Sequence, residues 1–244
     1  MPAIDTHPLT WWDSARGVMF GWTHEDAAIE LAAFAGRRRV FCIAGGGCTA
    51  LRLASAGHEV TAVDINPAQV EYFRGRASGA PSKAGRVEEL MARARAGFPI
   101  VGWTRSRVRE FLQFDDPDAQ SEYWNRVLDT RRWRLALRAL LSPRLLRIAY
   151  AAPLVAALPD DFSGGIRGRL ARGFAVHANR SNPYAWRMLE GAAPFDPDPG
   201  PQEIRLACGD AASFLESCAP GSFDAFALSN ILDGAEPEYG ARLH

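Results

Sequence analysis

The chain has 244 residues, 48% of them hydrophobic and 23% charged, and a formal net charge of +0. Those fractions exclude a wholly disordered or fibrous protein, and the length fits one elaborated domain or one domain carrying an insertion. A neutral total gives no argument for nucleic-acid binding, and no nucleic-acid partner is expected. Cys42, Cys48, Cys208 and Cys218 have no C-x-x-C spacing, and Met1-Pro-Ala-Ile-Asp-Thr-His has neither a basic n-region nor an apolar h-region. A reduced, cytoplasmic protein is therefore expected. The longest uncharged apolar run, Ile148 to Leu158, contains Pro153 and falls short of the roughly 18–20 residues that a membrane helix needs.

The first predicted element is a helix over Thr23 to Gly36, with Glu25, Asp26 and Glu30 early in it and a glycine at its end. Val40 to Ala44 reads as a strand buried on both faces. Gly45-Gly46-Gly47 must turn, Thr49 to Ala56 reads as a helix closed by Gly57, and Val60 to Val63 reads as a second buried strand ending at Asp64. A β-α-β unit this short implies a right-handed crossover and a parallel pair. Asn66 and Pro67 suit the N-cap and first turn of the next helix.

From about Gly75 to Gly200 the β-α alternation stops. Helices are predicted over Gly85 to Ala96 and Asp118 to Leu141, and prolines punctuate the remainder. Residues 76–200 are thus expected to be a mainly helical insertion between residues 1–75, an N-terminal helix and the first half of a Rossmann-like domain, and residues 201–244, its second part. In that part Ile204 to Ala207 and Phe223 to Leu228 read as strands three and four, with a short helix over Ala211 to Cys218 between them.

Ligands of open α/β sheets bind beyond the carboxyl ends of the strands. All four predicted ends are polar or glycine-rich: Ala44-Gly45-Gly46-Gly47, Asp64-Ile65-Asn66, Gly209-Asp210-Ala211 and Ser229-Asn230. A glycine turn leading into a helix offers backbone N–H groups and a positive helix end. This turn matches neither the dinucleotide fingerprint nor a P-loop. Asp64, at the end of strand two, is placed to accept hydrogen bonds from both ribose hydroxyls of an adenosine-containing ligand. NAD-binding and S-adenosylmethionine-binding folds share that feature; the missing fingerprint disfavours NAD.

Four segments carry a resemblance to a known family: Ile43-Ala-Gly-Gly-Gly-Cys-Thr-Ala-Leu, Val63-Asp-Ile-Asn-Pro-Ala-Gln, Gly173-Phe-Ala-Val-His-Ala-Asn-Arg-Ser-Asn-Pro-Tyr184 and Leu228-Ser-Asn-Ile-Leu-Asp-Gly-Ala235. Together they resemble the S-adenosylmethionine:diacylglycerol 3-amino-3-carboxypropyltransferases, which begin betaine-lipid synthesis. The resemblance implies a class I Rossmann-like sheet and S-adenosylmethionine as co-substrate. It implies attack of a diacylglycerol hydroxyl on the γ-carbon of the methionine portion, with methylthioadenosine leaving. That family continues through further strands, so the C-terminal strands are expected to be missing here.

On this reading Ala44, Gly45, Gly46, Gly47, Asp64, Ile65, Asn66, Asp210, Ala211, Ser229 and Asn230 hold the co-substrate. Arg180 grips the methionine carboxylate bidentately, or else pairs with a structural carboxylate. His177, Asp233 and Tyr184 are the candidate bases for the alcohol. No metal is expected. An ordinary methyltransferase, or a fragment that binds S-adenosylmethionine without turnover, remains as an alternative.

The insertion is basic around Arg131, Arg132, Arg134, Arg138, Arg144 and Arg147, with leucines between them. Arginine stems beside apolar residues suit either a peripheral contact with the inner membrane surface or a solvated basic face on a core helix. Trp11, Trp12, Trp22 and Trp103 suit either a hydrophobic entrance or the core. The apolar fourth strand, left as a bare edge, predicts self-association.

Overall fold

A computed structural model of the chain describes residues 17–149, 155, 156, 158–193, 195, 199–232, 235 and 237–243. Asp233, Trp11 and Trp12 lie outside the described residues. Two compact units divide the chain, one within Leu90–Pro197 and the other within Trp12–Glu89 and Asp198–His244.

The second unit is built on a Rossmann-like, fully parallel sheet. Its strands are β1 (Arg39–Ile43), β2 (Glu59–Asp64), β3 (Arg205–Cys208) and β4 (Ala225–Ala227), in the order β3-β2-β1-β4. Side chains alternate across β1. Val40 and Cys42 pack with Leu51, Leu53 and Phe73 on one face, while Phe41 packs with Val63 and Ala211 on the other. A strand covered on both faces has no polar side to offer, which is why its sequence is a continuous apolar run. Phe41 also meets Phe223 edge-on, with ring centroids 5.5 Å apart.

Helix α1 (Ala27–Ala33) begins later than the sequence suggests, because Asp26 stays extended and its carboxylate caps the Ala28 N–H. Helix α2 (Cys48–Ser55) follows the glycine turn. Helix α3 (Pro67–Ala77) starts as expected, with the Asn66 side chain accepting from the Ala68 N–H and Pro67 in the first turn. Helix α4 (Arg86–Ala96) contains the boundary between the units.

The helical unit continues through α5 (Arg105–Leu112), α6 (Pro117–Tyr123), a π-helical turn (Trp124–Leu128), α7 (Arg131–Leu140), α8 (Pro143–Ala149), α9 (Phe162–Val176) and α10 (Pro183–Leu189). The single helix expected over Asp118 to Leu141 is broken, since Asp129 leaves the helix and Thr130 caps α7 through the Trp133 N–H. Its core is aromatic: Trp103, Phe111, Trp124 and Phe174 are at most 4% exposed. Trp103 is thereby a core residue, and its indole N–H donates to the Leu128 carbonyl at 2.7 Å.

Back in the sheet unit, α11 (Ala211–Glu216) lies between β3 and β4, and α12 (Pro237–Arg242) follows β4. Among the described residues β4 pairs with β1 alone, so it forms one edge of the sheet and β3 the other. Its ladder is shorter than the strand expected over Phe223 to Leu228, and both of those end residues pack against the cluster around Phe41.

Candidate functional site

Strand order reverses between β1 and β4, and the crevice of a doubly wound sheet opens at that reversal. The turn after β1 stands beside it. Gly45 and Gly47 adopt φ values of 47° and 84°, a left-handed region that other residues enter only with strain. The three glycines differ in what surrounds them. A Cβ on Gly46 would stand 2.4 Å from the backbone of Trp22, and one on Gly47 would stand 2.3 Å from the Phe73 ring. Packing requires both. A Cβ on Gly45 would meet nothing within 4 Å, so this glycine faces open space, where backbone can approach a ligand closely.

Asp64 closes the other side of the turn. One carboxylate oxygen accepts from the Gly45 N–H at 3.1 Å and the other from the Asn66 N–H at 2.9 Å. Burial pushes its carboxyl above the ordinary aspartate value, opposed by those two N–H groups. Each oxygen keeps a further lone pair, the acceptor capacity that a vicinal diol requires. Ile65 is 44% exposed beside it, and Asn66 is buried as the cap of α3. Ala44 is buried, and its N–H donates to the Val63 carbonyl.

Residues given no role in the sequence analysis hold this turn. Gln69, 1% exposed, accepts from the Met19 and Phe20 N–H groups and donates to the carbonyls of Phe20 and Gly45. The buried Arg76 guanidinium donates to the Gly46 carbonyl and to Cys48 Sγ. Glu88 accepts from the N–H groups of Gly21 and Gly85, and its second oxygen is 3.2 Å from His24 Nε2. Burial alone would raise its carboxyl; the His24 contact and the N–H donors more than offset that and lower it.

At the end of β4, Ser229 is exposed with φ 53°, a strained backbone for a residue with a side chain. Its hydroxyl donates to Glu25 at 2.5 Å, and Asn230 beside it is exposed. That link joins residues 204 apart in sequence, so no local signal could have announced it. Asp210 has both a local and a long-range role. It caps α11 through the Ser213 N–H, accepts from the Tyr239 hydroxyl at 2.7 Å, and lies 3.7 Å from Arg242. Those partners outweigh its burial and lower its carboxyl. Ala211 is buried in the first turn of that helix.

His177, Arg180 and Tyr184 belong to the helical unit. His177 ends α9; it is exposed, and its ring has no hydrogen-bond partner among the described residues. Arg180 pairs with Asp115 at 2.8 Å, both well exposed, the partner a structural role would give it. The asparagines of the same motif are structural. Asn179 is fully buried and donates to the Phe111 carbonyl, and Asn182 caps α10 ahead of Pro183 through the Tyr184 and Ala185 N–H groups. Among the described residues no cluster of three His, Cys, Asp or Glu side chains could hold a metal, and no helix is long and apolar enough to cross a membrane. No family model, curated protein or solved structure matches the chain.

Proposed function

We propose that the chain binds S-adenosylmethionine at the carboxyl ends of β1 and β2 and transfers its 3-amino-3-carboxypropyl group to the hydroxyl of diacylglycerol. The observation that carries the binding half is the Asp64 carboxylate, bridging Gly45 and Asn66 across a turn whose first glycine faces open space. Asp64 takes the ribose hydroxyls, and the Gly45 backbone allows close approach. The transfer half rests on the resemblance of the four segments.

The co-substrate supplies a sulfonium leaving group and an electrophilic γ-carbon. The alcohol oxygen bonds to that carbon as the carbon–sulfur bond breaks. Methylthioadenosine departs with the electron pair, and the hydroxyl proton passes to a base. His177 and Asp233 are the first candidates for that base, with Tyr184 behind them. The protein's work is to orient the two reactants and exclude water. For Arg180 to take the methionine carboxylate, it must exchange its partner Asp115.

Methyl transfer uses the same co-substrate site, so the products decide. Mass spectrometry of a reaction with S-adenosylmethionine and diacylglycerol is expected to find methylthioadenosine and a lipid homoserine ether. S-adenosylhomocysteine would establish a methyltransferase instead. Calorimetric binding without either product would establish a binding protein.

A further inference from the structure

Helix α7 turns two unlike faces to its surroundings. Leu137 is buried, and Trp133 and Ala136 are half-buried, so this side joins the aromatic core. Positions three and four apart share a helix face. On the opposite side Arg131, Leu135, Arg138 and Ala139 therefore form one stripe with Arg132 beside it, and all five are exposed. Leu135 is 56% exposed at the centre of that stripe. Helix α8 adds exposed Arg144, Leu145 and Arg147.

The charge is unbalanced. No aspartate or glutamate occurs between Asp129 and Asp160, although the whole chain is neutral. Asp129 is already engaged by Arg134 and Arg167, at 2.9 and 3.2 Å. Among the described residues Arg131, Arg132, Arg138, Arg144 and Arg147 have no carboxylate partner. Some exposed arginines elsewhere do, as in Arg126–Glu122 and Arg109–Glu190; what sets this stretch apart is that five unpaired ones fall within 17 residues of sequence, 131 to 147.

We propose that the outer face of α7, continued by α8, docks on a bilayer surface rich in anionic headgroups, with Leu135 entering the acyl boundary and the unpaired arginines ringing it at headgroup level. Arginines with long apolar stems suit this depth, since the stem follows the lipid while the guanidinium meets phosphate. An exposed leucine at the centre of the basic stripe favours a bilayer over a nucleic acid, whose backbone offers nothing apolar to it. This surface is independent of the reaction proposed above.

The test is flotation of the full chain with vesicles of phosphatidylcholine alone or with one third phosphatidylglycerol. Binding is expected to the mixed vesicles only, and to be lost in 0.5 M salt, roughly the regime where charge is screened within a few ångströms. The triple variant Arg131→Gln, Arg132→Gln, Arg138→Gln should lower partitioning on the order of 100-fold, and Leu135→Ser roughly 10-fold. Arg126→Gln, which removes a paired charge elsewhere on the unit, should change it by less than about twofold. All five positions are exposed, and matched circular dichroism melts would verify that each variant folds. Equal binding to neutral vesicles, no vesicle binding, or a triple variant that floats like the parent would overturn the proposal. So would binding to single-stranded RNA, but not to vesicles, that the triple variant abolishes.

Discussion

Each of the two units holds a fully enclosed glutamine, and the two side chains tie down different things. In the sheet unit Gln69 joins the Met19–Phe20 segment to the Gly45 carbonyl, so a polar side chain sets the shape of the glycine turn. In the helical unit Gln120 donates to the Phe174 and His177 carbonyls at 2.5 and 3.0 Å and accepts from the Asn179 N–H at 2.7 Å. It thereby fixes the end of α9. The sheet unit uses its buried hydrogen bonds to hold a turn open. The helical unit uses its own to close a core. A polar clamp beside open space marks the place to look for a ligand; one that ties the end of a core helix marks packing.

The largest losses come from the helical core and from the Gln69 clamp. Trp124→Ala removes a 1% exposed ring from the helical core, and should cost about 3–5 kcal/mol in a urea titration. Gln69→Leu should cost about 1–3 kcal/mol for each backbone group left dry. The Gln69 variant is also expected to lose affinity for an adenosine ligand after stability is restored by osmolyte. An affinity unchanged under those conditions would show that the turn does not depend on its clamp.

The glycine turn sharpens the comparison further. Gly47→Ala drives a Cβ into the Phe73 ring in addition to the left-handed strain, and overpacking of that kind costs about 1–3 kcal/mol more. Gly45→Ala has the strain alone, about 1–2 kcal/mol, because nothing stands within 4 Å. The Gly45 variant should therefore fold while binding S-adenosylmethionine at least roughly 10-fold more weakly, the size expected when a contact worth about 1.4 kcal/mol is lost. Calorimetry on the two variants separates a binding glycine, Gly45, from a packing glycine, Gly47.

The sheet unit was largely legible in the sequence because its signals are local. The apolar run of β1, the Asn66–Pro67 cap and the carboxylate at the end of β2 each lie within a few residues of the feature they specify. The helical unit was not. Nothing in Trp124 to Leu128 announces a π-helical turn, and α9 carries Gly164, Gly165, Gly168 and Gly173 within a helix, against their intrinsic propensity. Tertiary packing decides there. The motif around His177 looked specific for function, yet Asn179 and Asn182 have structural roles that sequence alone assigns to neither side. The site's long-range contacts, Gln69 to Met19 and Ser229 to Glu25, carry no sequence pattern at all.

The smallest effect compares two aspartates within the sheet unit. Asp64 stands at the carboxyl end of β2 and Asp224 at the entry to β4. Asp224 accepts from the Arg38 and Arg39 N–H groups and from the Arg39 guanidinium. Hydrogen bonds from Arg39, first from its side chain and then from its backbone, pull the Asp224 carboxyl down to about 2. A depressed folded value means that the unfolded chain binds the proton first. Asp224 therefore adds stability above the unfolded value of roughly 3.9 that is lost as pH falls toward about 2. Asp64 has the opposite sign, because burial raises its carboxyl. Its contribution is full below the unfolded value and is lost as pH rises through the folded one. Asp224→Asn should flatten the acid side of a stability–pH curve, and Asp64→Asn should flatten the fall above it. Carboxyl titrations by NMR supply the two values directly. An Asp64 that titrates below the ordinary aspartate value would mean that its N–H donors outweigh its burial. It would then resemble Asp224 and Asp210, and Asp64→Asn would flatten the acid side of the curve instead.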